Sequence, residues 1–137
     1  MAFAIKAPIA DPGAEVFEFP AHRTMYGGKR IAAGDRLFLF ASERAGGRGL
    51  FARGIVTGAE PLPRTPGVAR QTPRVHLRVR RTALAVRPLG RAELPRRSDW
   101  SDGSPAAEID FKFYRQGTDK IVGLSDAAAA FLDGFFR

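Results

Sequence analysis

Residues 32–60 read AAGDRLFLFASERAGGRGLFARGIVTGAE. Ala33-Gly34-Asp35 is a turn, and Arg36 to Ala41 (RLFLFA) has the apolar, aromatic-rich composition of a strand. Gly46-Gly47 breaks the run, and Leu50 to Thr57 (LFARGIVT) makes a second strand, so the segment predicts a β-hairpin. Gly54 inside the second arm predicts a bulge or a tight barrel bend, because glycine in a strand marks a close backbone approach.

Working outward, Pro61 to Pro73 is a loop rich in Pro, Gly and Arg. Val75 to Val86 then alternates cleanly. Val75, Leu77 and Val79 fall on one face, and Arg74, His76, Arg78 and Arg80 on the other, which predicts a strand with a cationic ridge. Upstream, Ala2 to Lys6 predicts a first strand, closed by Pro8 and the Asp11-Pro12-Gly13 turn. Val16, Phe17 and Phe19 lie in a short extended piece ending at Pro20, and Ala21 to Ile31 reads equally as a short helix or a loop. Downstream, Arg87 to Pro105 is polar and irregular, with one turn of helix at Arg91 to Leu94 and the single tryptophan, Trp100. Ile109 to Tyr114 reads as a strand whose Phe111 and Phe113 enter the core. Ser125 is an N-cap with Asp126 in the first turn. Ala128, Phe131, Leu132 and Phe135 give the apolar stripe of a C-terminal helix. Five or six short strands with one or two helices predict a single α+β domain over residues 1–137, built on a small, partly open mixed β-barrel.

Charge narrows the function. The 137 residues carry +8, with 18 Arg against 4 Lys. From Arg64 to Arg97 there are ten arginines and one acid, Glu93, so the whole excess sits in this segment. Coding bias explains arginine over lysine but not the avoidance of acids. A local cationic excess favours a polyanion, above all nucleic acid. Cysteine is absent, which excludes disulfides, thiol catalysis and thiolate zinc sites. No stretch is long and apolar enough for a membrane helix, and the start, MAFAIKAPIADPG, lacks the apolar core of a secretory leader. The expected location is the cytoplasm.

Three stretches resemble the PUA-like superfamily, and within it the EVE domain with its YTH and ASCH relatives. Residues 32–60 look like the central hairpin of that family. PRVHLRVRRTALAV at 73–86 looks like the next barrel strand, and TDKIVGLSDAAAAFL at 118–132 like the closing strand and helix. Phe3 stands where EVE domains carry tryptophan, and Phe40-Ala41-Ser42 where they carry Tyr-His-Ser. The resemblance implies a PUA-like barrel that binds RNA or DNA. It also implies a modified or flipped base held in an aromatic pocket, with Ser42 at the rim.

Tyr114, Arg115, Gln116 and Lys120 offer a ring, a planar cation, an amide and an ammonium in one stretch, suited to stacking on a base and bonding its edge. The other reading of Tyr114 and Arg115 is structural, with Tyr114 capping the barrel and Arg115 paired to Asp110 or Asp119. Trp100 is either a loop anchor or a pocket wall. Lys29 and Arg30, with the ridge residues Arg74, His76, Arg78 and Arg80, are the expected contacts to a nucleic-acid backbone. Catalysis has little to stand on. His22 and His76 have no partner at metal-ligand spacing, and no nucleophile elbow, phosphate loop or dinucleotide fingerprint occurs. Gly27-Gly28-Lys29-Arg30 echoes the ASCH signature, so a metal-free ribonuclease using Tyr26, Lys29 and Arg30 is the alternative function. A third reading has the apolar tail, Phe131 to Phe136, docking a second copy. No cofactor is expected.

Overall fold

The computed structural model describes residues 1–94 and 103–137. Six strands close into a barrel: β1 (Ala2–Ala7), β2 (Val16–Met25), β3 (Arg36–Ala41), β4 (Gly49–Pro61), β5 (Arg74–Leu84) and β6 (Lys120–Gly123). Around the barrel the order is β1-β3-β4-β5-β2-β6, so β6 pairs with both β1 and β2 and leaves no free edge. The sheet is mixed: β1 runs parallel to β3 and β2 parallel to β6, while the other pairs are antiparallel. The barrel is therefore closed rather than partly open. Closure removes the unpaired backbone groups that an edge would expose.

The hairpin predicted at residues 32–60 is β3 and β4, paired from Arg36↔Ile55 to Ala41↔Gly49 with a register shift between Leu39 and Phe40. The pairing of β4 with β5 shifts between Arg53 and Gly54. A Cβ at Gly54 would stand 2.3 Å from the Arg80 carbonyl oxygen, so only glycine allows the strands to close there.

Strand alternation divides the apolar side chains into two cores. Phe3, Ile5, Leu37, Leu39, Val75, Leu77, Val79 and Ile121 fill the barrel. Ala4, Phe38, Phe40 and Val122, on the outward face of the same strands, meet the helices. Those helices are α1 (Pro105–Ile109), continued by a π-helical turn at Asp110–Tyr114, and α2 (Asp126–Asp133). Ser125 caps α2 as expected, its Oγ accepting from Ala128 N at 3.1 Å.

Two further expectations are corrected. Residues 109–114 are helical, not a strand. Their alternation of Phe and charge mimics a period of two, but Ser104 caps the segment at Ala107 N (3.2 Å) and Pro105 opens it, which sets a helix start. In consequence Lys112, Phe113 and Tyr114 are all buried, whereas Phe111 is only half-buried. The second correction concerns Pro20, which does not end β2. The register shifts between Phe19 and His22, with Ala21 at φ 50°, so the proline sits in a bulge where no ladder donor is needed. Ala21 to Met25 then continues the strand, and only Gly28–Arg30 forms a short 3-10 turn. The tail read in the alternative as docking a second copy packs in part on its own barrel. Phe136 packs on Phe38 (6.0 Å between centroids), Arg53 stacks on Phe136 (4.7 Å), and Asp133 accepts from Arg53 at 2.7 Å.

Among the described residues, no helix is long and apolar enough to cross a membrane, and no cluster of His, Cys, Asp and Glu could hold a metal ion.

Candidate nucleic-acid site

Where β1 and β3 end side by side, the chain leaves the barrel through Ser42 into a 3-10 turn at Glu43–Ala45. The end of the π-helical turn comes down against this corner. Between them is a pocket of about 390 Å³ lined by Lys6, Ser42, Glu43, Arg44, Arg91, Tyr114 and Gly117. That volume falls in the roughly 300–1,000 Å³ range of small-molecule sites.

Lys6 is the residue that organises it. Phe3, Ile5 and Ala7 point into the barrel, so Lys6 must point outward beneath the helices, where it is 3% exposed. Its ammonium donates to the Phe113 carbonyl at 2.8 Å and lies 4.8 Å from the centre of the Tyr114 ring. Its cross-strand partner in β6 is another lysine, Lys120, 1% exposed. Like charges directly opposite are destabilising, and among the described residues neither ammonium has a carboxylate in its hydrogen bonds: Lys120 donates to the Thr118 carbonyl at 3.1 Å. Burial lowers the pKa of both, that of Lys120 to about 8, with the neighbouring Lys6 charge adding to the shift. Asp119 opposes both shifts. Its Oδ1 is shut away from solvent with no hydrogen-bond partner among the described residues. Of the two, Lys6 lines the pocket, and Lys120 lies behind it.

The opposite wall is Tyr114 and Glu43. The phenol donates to Glu43 Oε2 at 2.9 Å, and burial together with that carboxylate keeps it protonated. Glu43 also accepts from the Arg91 backbone N–H at 2.9 Å, which ties the β5–α1 connection to the pocket. The Arg91 guanidinium lies 5.9 Å from the Tyr114 ring centre, and Arg44 and Arg91 are exposed at the mouth. Tyr114 itself is 7% exposed, so it offers the pocket an edge and not a free stacking face.

The expected ligand residues separate. Ser42 and Tyr114 meet at the pocket. Lys120 lies one strand over as the partner of Lys6. Arg115 does not join them; its guanidinium stacks on Phe111 at 5.0 Å, and its backbone N–H, not its side chain, bonds Asp110. Gln116 is exposed, and its carbonyl accepts from Thr118 at 3.2 Å. Trp100 lies outside the described residues. Lys29 and Arg30 are exposed on the 3-10 turn whose Gly28 packs on the Ile121 carbonyl. Lys6, Glu43, Arg44 and Arg91 were missed. The signal for Lys6 was present: a lone lysine in an otherwise apolar first strand.

The ridge on β5 is real in register but altered in charge and place. Val75, Leu77 and Val79 are buried, while Arg74, Arg78 and Arg80 are exposed. Glu18 on β2 faces them, accepting from His76 at 2.7 Å and lying 3.8 Å from Arg78. In the closed barrel β5 stands three strands from β1 in either direction, so the ridge does not run beside the pocket. Only its Arg74 end turns toward it, through His22, which feels the Arg74 charge and donates to the Lys6 carbonyl at 3.1 Å.

No family model and no curated protein matches the chain. Solved structures do. The DUF55 domain of human thymocyte nuclear protein 1 superposes with a TM-score of 0.65 at 14% identity, covering 100% of this chain and 99% of that one. The barrel therefore has the PUA-like fold of that domain. Human THYN1 protein solved in complex with DNA containing 5-methylcytosine matches at 0.65 and 13% identity, covering 99% and 98%. A Pseudomonas putida protein matches at 0.65 and 12% identity over 100% of both chains. At these identities the likeness is one of fold.

Proposed function

We propose that this chain binds nucleic acid and draws one base into the pocket between Ser42 and Tyr114. The observation that carries this reading is the buried pair Lys6 and Lys120 beneath a pocket that also presents Glu43, Arg44 and Arg91. Cations at the floor and mouth suit a nucleotide's phosphate. Glu43, the one carboxylate of the lining, has acceptor capacity left beside Tyr114 and would accept from an exocyclic amine such as cytosine N4. The fold shared with a protein solved on 5-methylcytosine DNA supports DNA with a modified cytosine as the first ligand to test, with RNA as the comparison. Recognition rests on hydrogen bonds and charge at the ring edge, because Tyr114 shows no open face. A cytoplasmic place goes with this reading, on the absence of cysteine.

The test is a set of equilibrium titrations with duplexes that differ only in one cytosine: unmodified, 5-methylated, or replaced by thymine. Wild type should bind the cytosine duplexes more tightly than the thymine one. Glu43→Gln, which can donate where the carboxylate accepts, should erase that preference. Equal binding of all three by wild type would overturn base recognition.

A further inference from the structure

The β4–β5 loop encloses a hollow apart from the Tyr114 pocket. Between Pro61 and Arg74 the chain carries Arg64, Arg70 and Arg74 and no acid. This loop is not slack. Leu62 N–H donates to the Arg74 carbonyl at 2.9 Å and closes its base. Gln71 staples its interior: the carboxamide accepts from Thr65 N at 2.7 Å and donates to the carbonyls of Thr65 (2.7 Å) and Val68 (2.8 Å). Gly67 takes φ +81°, a conformation that glycine adopts without strain. The staple encloses a hollow of about 480 Å³ lined by Leu62, Arg64, Thr65, Arg70, Gln71 and Arg74 among others.

We propose that this loop clasps the phosphate backbone of the strand flanking the base taken into the Tyr114 pocket. This rests on the nucleic-acid reading above and adds a place where the flank is held. Two things select a phosphate backbone as occupant. One is charge: guanidinium forks match phosphate oxygens, and the loop offers them with no carboxylate to compete. The other is continuity. Thr24 donates to the Pro73 carbonyl from N (3.0 Å) and Oγ1 (2.8 Å), and Arg74 donates to the Ala21 carbonyl at 2.8 Å, which fixes the loop to the end of β2. Beside that anchor Arg23 pairs with Arg74 and lies next to the β6 register that carries Lys120, and His22 donates to the Lys6 carbonyl, so β2 joins the loop to the strand ends beneath the pocket. Preorganisation by Gln71 means that binding orders little chain, which keeps the entropic cost low.

The experiment compares wild type, Arg64→Ala/Arg70→Ala and Gln71→Ala by fluorescence anisotropy on one labelled duplex across a salt series, with circular dichroism confirming each fold. Wild type should lose affinity linearly on a log–log plot. The double variant should flatten the slope by about 2, since each lost phosphate contact removes roughly 0.9. Gln71→Ala should weaken binding several-fold with the slope kept, because charge stays and order is lost. An unchanged slope in the double variant, with wild type still binding, overturns the clasp and leaves the pocket reading standing. A wild type that binds no nucleic acid overturns both.

Discussion

Tyr114 does two things at once. Its ring belongs to the outer core, and its hydroxyl holds Glu43 at the pocket wall. Phe113 beside it is fully buried and packs on Phe40 at 4.9 Å. In a strand these neighbours would face opposite ways and differ sharply on mutation. In the helical turn observed, both face the barrel. Phe113→Ala should therefore cost about 3–5 kcal/mol in chemical denaturation. Tyr114→Phe keeps the ring and should cost about 1.5–3 kcal/mol, the value of a hydrogen bond to a charged group. Lys120 gives a pH signature. Its folded pKa, near 8, lies below the ordinary lysine value of about 10.4. Between those values the unfolded chain binds more protons, so stability rises with pH from about 8 to about 10. Urea unfolding at both ends of that window should show the rise in wild type and a smaller one in Lys120→Met, where the lowered Lys6 alone remains. Nucleic-acid affinity should fall over pH 7–9 as the same ammonium is discharged.

At the scale of elements, a buried ion pair fastens the helices to the barrel. Lys112 donates to Glu108 at 2.9 Å, four residues back, and to the Gly123 carbonyl at 2.7 Å. Glu108 also accepts from the Ser125 N–H at 2.9 Å and from the Ser125 hydroxyl. The ion pair thus joins α1, β6 and the cap of α2. Burial alone would raise the Glu108 pKa, but the bonds from Ser125 and Lys112 outweigh it and the net shift is downward. Its contribution is present above the ordinary carboxylate range and lost as pH falls through the lowered value. Breaking such a pair strands a charge. Lys112→Met should destabilise by about 3–5 kcal/mol at pH 7, and by less at pH 3, as Glu108 approaches protonation. How far the sequence discloses these elements depends on what each one uses. The hairpin at 32–60 and the alternation of β5 are local patterns, and both are legible. The helix at 105–114 was also signalled, by Ser104-Pro105 and the Glu108–Lys112 spacing, but alternating aromatics hid it. The Lys6–Lys120 floor was not legible. It joins residues far apart in the chain, through a register that only barrel closure sets.

For the whole molecule, closure decides what can act together. It brings the ends of β1, β3 and β6 to one corner and carries the β5 ridge round to the far side. The +8 charge is therefore not one surface. Part is compensated by Glu18, part lies buried under the pocket, and part stands on the β4–β5 loop. The central claim is that a base enters the corner pocket. Photo-crosslinking tests it most directly: a duplex carrying 5-iodocytosine at one position is irradiated in complex with the protein, and the attached peptide is identified by mass spectrometry. The account predicts attachment within residues 40–44 or 113–117, abolished by excess unlabelled duplex. Attachment confined to the β5 ridge or to the C-terminal tail would contradict it.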